Sequence, residues 1–182
     1  MSDILFDEVI IDGKKYEHGE WKKYAIHDEW NIKGFFGDYR FMSNFYTCNE
    51  LIWGLYPSVE NAYQAMKVIP EERSKFYYCS AKESKNLWKT CSRSHTDASW
   101  NEVKFGIMKS LVCDKFLRNS DLAKLLKDTL LSDQSKNCYA KGNLKYLEET
   151  NWWGDEYWGV NCFTKQGHNA LGRILMSVRS IL

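Results

Sequence analysis

The chain has 182 residues, of which 44% are hydrophobic and 27% charged, and its 25 Lys plus Arg face 24 Asp plus Glu for a net charge of +1. At about 100–200 residues per domain, this length predicts a single domain able to build a core without staples, and the composition excludes a disordered chain. The charge balance excludes a global basic field for nucleic acid and leaves room only for a local patch.

A lead segment spans residues 1–33. Within it, Glu8 to Tyr16 places Asp12-Gly13 between two short strand-like runs. That is a hairpin signal, because Asp-Gly suits the positive φ of a tight turn. Residues 35–46 (FFGDYRFMSNFY), punctuated by Gly34 and Gly37, are aromatic and irregular and read as strand or loop. Residues 51–56 (LIWGLY) are a second short strand candidate, broken at Gly54.

Helix signals follow. Ser58 is placed to cap a helix after Pro57, with Val59 first and Glu60 second. Val59, Ala62, Tyr63 and Met66 share one face, and Glu60, Gln64 and Lys67 share another. Ser99 and Glu102 have capping-box spacing and predict a helix with Trp100, Val103, Ile107 and Leu111 inward, ending near Phe116. Asn119 or Ser120 is expected to cap the next, with Leu122, Leu125, Leu126 and Leu130 inward. The last helix is expected from about Asn169, with Leu171, Ile174, Leu175 and Val178 in the core. With only 2 prolines and no repeat, the chain reads as α+β: a mainly helical single domain with a small β-sheet towards its N-terminal half. The expected division is an extension over 1–33 and a domain over 34–182.

The start of the chain lacks a basic stretch followed by a long apolar run, so no secretory signal is expected. No apolar stretch approaches the roughly 20 residues of a membrane helix. Cys48, Cys79, Cys91, Cys113, Cys138 and Cys162 include no Cys-x-x-Cys pair, and His18, His27, His95 and His168 are equally scattered. Structural zinc favours short ligand spacings, so no metal is expected, and free thiols in a reducing cytoplasm explain the cysteines. No membrane and no obligate protein partner are expected either.

Four constellations are candidates for chemistry. Glu60, in a first helical turn, sits at the positive end of the helix dipole and stays ionised, as a general base or a support for a developing cation. The same position also suits a plain helix-terminus charge. Gln64 and Lys67 accompany it, Lys67 about 10 Å along the axis, so the three either bracket a small polar ligand or form a solvated face. Residues 149–159 (ETNWWGDEYWG) combine acids with indoles. Asp155 on a turn can reach a ribose hydroxyl and Trp158 can stack on a base, or the run is a turn with a hydrophobic plug. Trp152 and Trp153 are adjacent and cannot both point inward from regular structure. Gly167 and Asn169 precede a helix whose first N–H groups suit an anion, or bind water, and Gly172 inside that helix suggests close backbone packing. Arg40 offers a fork for phosphate or carboxylate and Asn44 offers a donor and an acceptor, unless Arg40 pairs a structural carboxylate. The 15% aromatic content, with 8 Trp and 11 Tyr, fits either a ring-rich core or a site that stacks flat rings. No Ser-His-Asp order, P-loop or Gly-x-Gly-x-x-Gly is present, which argues against a kinase, a Rossmann oxidoreductase and a zinc hydrolase.

FFGDYRFMSNFY, YPSVENAYQAMK, WNEVKFGIM with the following Asp114-Lys115-Phe116, YLEETNWWGDEYWG and GHNALGRILMSVR stand in the order of the NADAR family, also called YbiA-like. The chain resembles that family over roughly residues 35–180. The resemblance implies a compact α+β domain that hydrolyses N-glycosidic bonds. It implies as substrate a ribosylated nucleotide or ADP-ribosylated nucleic acid: phosphoribosylated riboflavin-pathway intermediates, or ADP-ribose linked to guanine. By the same resemblance Glu60 is the catalytic acid, and Arg40, Asn44 and Lys67, with Gln64, are pocket residues. Asp155 and Trp158 match the acid and indole of an Asp-x-x-Trp-Gly pattern, with Asp155 as a second catalytic carboxylate. Glu148 matches the acid before that block, and Gly167, Asn169 and Gly172 match Gly-x-Asn-x-Leu-Gly. Asn61 departs from a common His, a change linked to substrate preference. Lys85 departs from a Gly near Ala81-Lys82, a change linked to a turn.

Breaking a C1′–N bond builds an oxocarbenium-like charge on the ribose, which a carboxylate stabilises or quenches by activating water. A phosphate handle on Arg40, Lys67 or the helix start at Asn169 supplies binding energy that can be used at the reacting carbon. That chemistry requires no cofactor. Two other readings stand beside it: a non-catalytic ADP-ribose or nucleotide-binding module, and a structural protein whose Trp-rich surface binds a partner.

Overall fold

Ser58 is extended (φ −148°, ψ 163°), and its hydroxyl accepts the Asn61 N–H at 3.2 Å, which starts helix α1, Val59–Ala65, where the sequence expects it. The structure, a computed structural model, describes residues 8–11, 14–17, 25–130 and 144–182. The chain groups into two compact units, one of Met1–Phe41 and Asp128–Ser177, the other of Met42–Lys127 and Val178–Leu182.

In the second of these, all seven residues of α1 are buried and Met66 caps its end. Lys67 therefore lies past the helix rather than on its face. A 3-10 helix, Pro70–Phe76, and α2, Ala81–Leu87, follow. The α2 start is a reciprocal capping box of Ser80 and Glu83 that the sequence reading passed over. Lys85 lies inside α2, not in a turn. Helix α3, Asp97–Arg118, begins earlier than Ser99: Thr96 is the cap, and its hydroxyl accepts the Ser99 N–H at 3.2 Å. Its buried stripe is Met108, Leu111, Val112, Lys115 and Phe116. Trp100 and Ile107 are half-buried and Val103 is exposed. The expected stripe extended the apolar period to the N-terminal half, where the helix faces solvent on more sides. Lys115 explains the rest, because a buried Lys hides the true stripe from a hydrophobicity reading. Its ammonium donates to the Ser43 carbonyl at 2.9 Å and lies 5.3 Å from the Phe116 ring.

In α4, Ser120–Lys127, Leu122 and Leu126 are buried, whereas Leu125 is exposed, as is Leu130 beyond the helix. Asn119 precedes this helix without capping it through its side chain. Its carboxamide instead bonds the Lys115 carbonyl and both the N–H and the carbonyl of Glu50. The 51–56 candidate reduces to one bridge pair, Ile52 and Tyr56, around left-handed Trp53 (φ 50°) and Gly54 (φ 70°). Residues Gly37–Met42 form a 3-10 helix rather than a strand or loop.

The first unit holds the strands. β1, Glu8–Ile11, pairs antiparallel with β2, Lys14–Glu17, and the turn residues Asp12 and Gly13 lie outside the described residues. β3, Ile26–His27, pairs antiparallel with β4, Asn31–Lys33, which pairs in parallel with β5, Tyr146–Glu148. β6, Thr150–Asn151, pairs in parallel with β7, Val160–Asn161. The α+β class holds, but the described residues form three small sheets rather than one, and three of the seven strands come from the C-terminal part. Strands of two or three residues are too short to show alternation.

Helix α5, Ala170–Arg179, follows the expected pattern: Leu171, Ile174, Leu175 and Val178 are at most 1% exposed. Each contributes roughly 1.5–3 kcal/mol by burial. A Cβ at Gly172 would run into the Leu147 carbonyl and the Asn169 side chain, so the absent side chain lets α5 lie on β5. Trp152 is buried against Cys162, while its neighbour Trp153 is exposed, as the alternation argument requires. Among the described residues no helix is long and apolar enough to cross a membrane.

Candidate active site

Glu60 is the second residue of α1. Its N–H, one of the donors a helix start leaves unmatched, reaches the Asn44 carbonyl at 2.9 Å. Its carboxylate is buried, at 5% exposure, where an ionised group is costly without partners. One turn on, Gln64 Nε2 donates to Glu60 Oε1 at 2.7 Å. That bond fixes the amide: its NH2 must face the carboxylate, so its oxygen faces elsewhere, and Gln64 Oε1 is buried without a hydrogen-bond donor. Asn44 Oδ1 is buried and without a donor too. Its NH2 meets only the Met108 sulfur, at 3.4 Å, so exchanging the amide ends would leave it no better matched.

Lys67 lies among rings. Its ammonium is 4.5 Å from the Trp88 ring centre, 5.0 Å from Tyr63 and 5.7 Å from Trp100. Burial lowers its pKa to about 8; Glu60 pulls it back up, and Lys85, Arg93 and Lys89 push it further down. Asn44, Glu60, Gln64 and Lys67 thus stand in one unit, with Glu60 and Lys67 in electrostatic reach of each other. Sequence reasoning missed Trp88, Arg93 and His95 around Lys67, and assigned Trp100 to the core. Their only sequence signal was the high Trp content, since they lie far from Lys67 along the chain. Asn61, the departure from His, is fully buried: its Nδ2 donates to the Phe76 carbonyl at 3.1 Å and the Cys79 carbonyl at 2.8 Å. This side chain ties the fold together.

The remaining candidates belong to the other unit. Arg40 is half-buried in the last turn of the 3-10 helix Gly37–Met42. Glu148 is buried in β5, with Lys33 Nζ at 3.4 Å and the Thr150 hydroxyl donating to it at 3.0 Å. Asp155 Oδ1 accepts the N–H groups of Tyr157 at 3.0 Å and Trp158 at 2.9 Å, a turn closed on its own backbone. Trp158 packs edge-on to Tyr157, ring centres 4.8 Å apart. Asn169 is left-handed (φ 49°); its Oδ1 accepts the Glu149 N–H, and its Nδ2 donates to the Leu147 carbonyl and the Tyr146 hydroxyl. Gly167 (φ +148°) lies so close to Gly159 that a Cβ would meet the Gly159 carbonyl.

The N–H groups at this helix start are largely matched within the fold. The N–H groups of His168, Asn169, Ala170 and Leu171 already donate to the carbonyls of Glu156, Gly159, Tyr157 and Trp158. Donors matched this way are not available to a phosphate. Among the described residues no group of three or more His, Cys, Asp or Glu side chains comes together as metal ligands. Cys138 and His18 lie outside the described residues.

A family model described as the NADAR domain matches residues 30–182. A riboflavin biosynthesis protein of Vibrio vulnificus is 30% identical over 146 residues, 78% of this chain and 35% of that protein. The chain thus spans about a third of that relative's length. An N-glycosidase of Nostoc punctiforme is 29% identical over 129 residues, 67% of this chain and 71% of that protein. The NMR structure of the E. coli protein YbiA aligns with a TM-score of 0.63 at 23% identity, over 87% of this chain and 88% of that one, a likeness of fold.

Proposed function

The chain belongs to the NADAR family, and we propose on that premise that it is a hydrolase cleaving the C1′–N bond of a ribosylated base or amine. One observation carries the reading: a buried carboxylate that accepts the Gln64 amide, in a neighbourhood where two further buried acceptor oxygens, of Gln64 and Asn44, lack donors. Buried acceptors left this way are costly and rare in folded proteins. A ribosyl substrate supplies what they lack, since its hydroxyls are donors. Its reacting carbon becomes cationic, which suits Glu60.

In this reading the C1′–N bond breaks, the bonding pair leaves on nitrogen, and water adds to C1′. Glu60 stabilises the positive charge at C1′, takes a proton from the attacking water and passes it to the departing nitrogen, which regenerates the carboxylate. Gln64 keeps the carboxylate aimed, and the Gln64 and Asn44 oxygens receive sugar hydroxyls. The names of the two relatives support an N-glycosidic bond and a riboflavin-pathway substrate, and ADP-ribosyl-guanine is the second candidate. Asp155 is carried as a second catalytic carboxylate, and Trp158, Arg40, Glu148, Gly167 and Asn169 as substrate contacts, by the family resemblance alone.

The test is incubation with a phosphoribosylated riboflavin-pathway amine and with ADP-ribosylated guanine in DNA, reading released base and sugar by chromatography. Release from one substrate, abolished in Glu60→Gln, is the expected result. Release from neither, or release unchanged in the variant, rejects the reading.

A further inference from the structure

Residues 43–46 belong to no helix or strand, yet they carry Asn44 to its place beside Glu60. Two side chains of α3 hold them. Lys115 Nζ donates to the Ser43 carbonyl at 2.9 Å, and the Met108 sulfur lies 3.4 Å from Asn44 Nδ2. Met108 and Lys115 share the buried face of α3, two turns or about 10 Å apart along the axis. On the other side, the Asn44 carbonyl accepts the Glu60 N–H at 2.9 Å, which ties the segment to the start of α1. The position of Asn44 Oδ1, the buried oxygen without a donor, therefore depends on how α3 holds the segment.

Packing does not explain a cation at residue 115. The side chain is 1% exposed and stands in a stripe with Leu111, Val112 and Phe116. Methionine has a similar length and fills such a slot without the cost of taking an ammonium out of water. Nor does the Ser43 carbonyl need the cation to avoid being left unmatched, since the Tyr46 N–H also donates to it, at 3.2 Å. What the ammonium adds is a charge-assisted bond, about twice as strong as a neutral one, reaching from α3 to the residue before Asn44. It also lies 5.4 Å from the centre of the Tyr46 ring. Lys115 thus touches the segment at both ends, Ser43 and Tyr46, with Asn44 between them. A costly buried charge aimed at the one segment that presents an unmatched acceptor is the mark of a residue retained for function.

We propose that Lys115 is a positioning residue: through Ser43 and Tyr46 it sets where the Asn44 carboxamide stands to receive a substrate hydroxyl. Its effect on turnover rests on the glycosidase reading, whereas its effect on the 43–46 segment does not.

Amide hydrogen exchange read by NMR tests the segment. The Glu60 N–H is bonded to the Asn44 carbonyl, so its exchange reports whether the segment keeps its place. In Lys115→Met that amide should exchange at least tenfold faster than in the wild type. The Met66 amide, bonded to the Ala62 carbonyl at the far end of α1, should change by less than twofold. An unmoved Glu60 amide overturns the proposal, and so does an equal loss of protection at Glu60 and Met66, which is general loosening. Far-UV circular dichroism checks folding, and Lys115→Gln replaces the methionine variant if that one loses helix. With a turned-over substrate, Lys115→Met and Asn44→Ala should each lower kcat/KM at least tenfold. The double variant should fall no more than twofold below Asn44→Ala alone, because residues that act through one another do not add. Losses that multiply, or wild-type kcat/KM in a folded Lys115→Met, overturn the proposal. Turnover of no riboside rejects the glycosidase reading and leaves the exchange result to decide the positioning. Turnover with an unmoved Glu60 amide keeps that reading and rejects the positioning.

Discussion

The region around α1 and the segment from Glu148 to Asn169 both carry polar residues that the sequence marks as candidates, yet they treat those residues in opposite ways. In the segment, Asp155 closes its own turn and Asn169 matches three backbone and side-chain groups. Four N–H groups at the start of α5, of His168 to Leu171, are taken by carbonyls of 156–159. Around α1, the buried Glu60 carboxylate accepts the Gln64 amide, the Gln64 and Asn44 oxygens lack donors, and Lys67 is half-buried among rings with its pKa lowered by burial. Completed networks stabilise, whereas costly incomplete ones are retained where a ligand completes them. On the proposed function, the contrast separates the candidates matched within the fold from the candidates that a substrate would complete.

Glu60→Gln attacks that contrast most directly. The variant keeps shape and a hydrogen-bonding partner for Gln64 while removing the charge. A rate loss of roughly 10²–10⁴ is expected for a group that activates water or supports a cation. The urea unfolding midpoint should move by less than about 1 kcal/mol equivalent. Near wild-type turnover would return Glu60 to a helix-terminus role and move the search for the acid to the other unit.

Lys67→Met is the next largest. The ammonium has a pKa of about 8 in the fold against the ordinary 10.5, so the folded state binds its proton more weakly than the unfolded one. Below pH 8 both states are protonated and the full cost of burial is present. Between pH 8 and 10.5 the folded protein loses the proton first, so stability rises with pH across that window. Lys67→Met should abolish that rise and stabilise the protein at pH 7 by about 1–2 kcal/mol, once the lost ring contacts are subtracted. Turnover of the phosphorylated substrate should nonetheless fall at least tenfold, the mark of a residue retained for function. Urea titrations at pH 7 and 9.5 read the first effect and initial rates the second; a destabilised but active variant would make Lys67 part of the scaffold.

Gly172→Ala tests the scaffold side. Its Cβ would press on the Leu147 carbonyl, backbone that cannot swing away. A loss of about 1–3 kcal/mol, the usual cost of overpacking, is expected. Thermal unfolding measures it, and an unshifted midpoint would mean that α5 slides freely on β5.

How much of this was legible in the sequence follows the same division. Ser58, α5 with its four core residues, and Gly172 were legible because capping, helical period and close packing are local signals. Glu60, Gln64 and Lys67 were legible as a group because they lie within two turns of one another, although Lys67 reaches its place from beyond the helix end. Arg93, His95 and Trp88 were not, because the single Val68–Arg93 bridge brings Arg93 and His95 to Lys67, Trp88 comes from the end of α2, and no periodicity announces either. The α5 start misled for a related reason: a sequence shows which N–H groups a helix leaves open, but not the distant carbonyls that fill them. The α3 stripe misled because Lys115 is buried and Val103 is not, and hydrophobicity orders those two the wrong way.

Asp155 gives the smallest expected effect and the finest cut between the two regions. One of its oxygens holds two N–H groups, so removing the side chain in Asp155→Ala should cost about 1–2 kcal/mol, the scale of a lost helix-cap acceptor. Asp155→Asn retains an oxygen that can accept both bonds and removes only the charge. A scaffold role leaves the asparagine variant with wild-type unfolding and turnover, while the alanine variant loses stability and, through the loosened turn, only some affinity. A catalytic role gives a different order: the asparagine variant unfolds as wild type but loses kcat by more than tenfold, because a carboxamide neither takes a proton nor balances a cation. The completed turn favours the first outcome. Denaturation and steady-state kinetics on the same two variants decide it, and a slow but stable Asp155→Asn would extend the chemistry beyond α1 and break the division between the two regions.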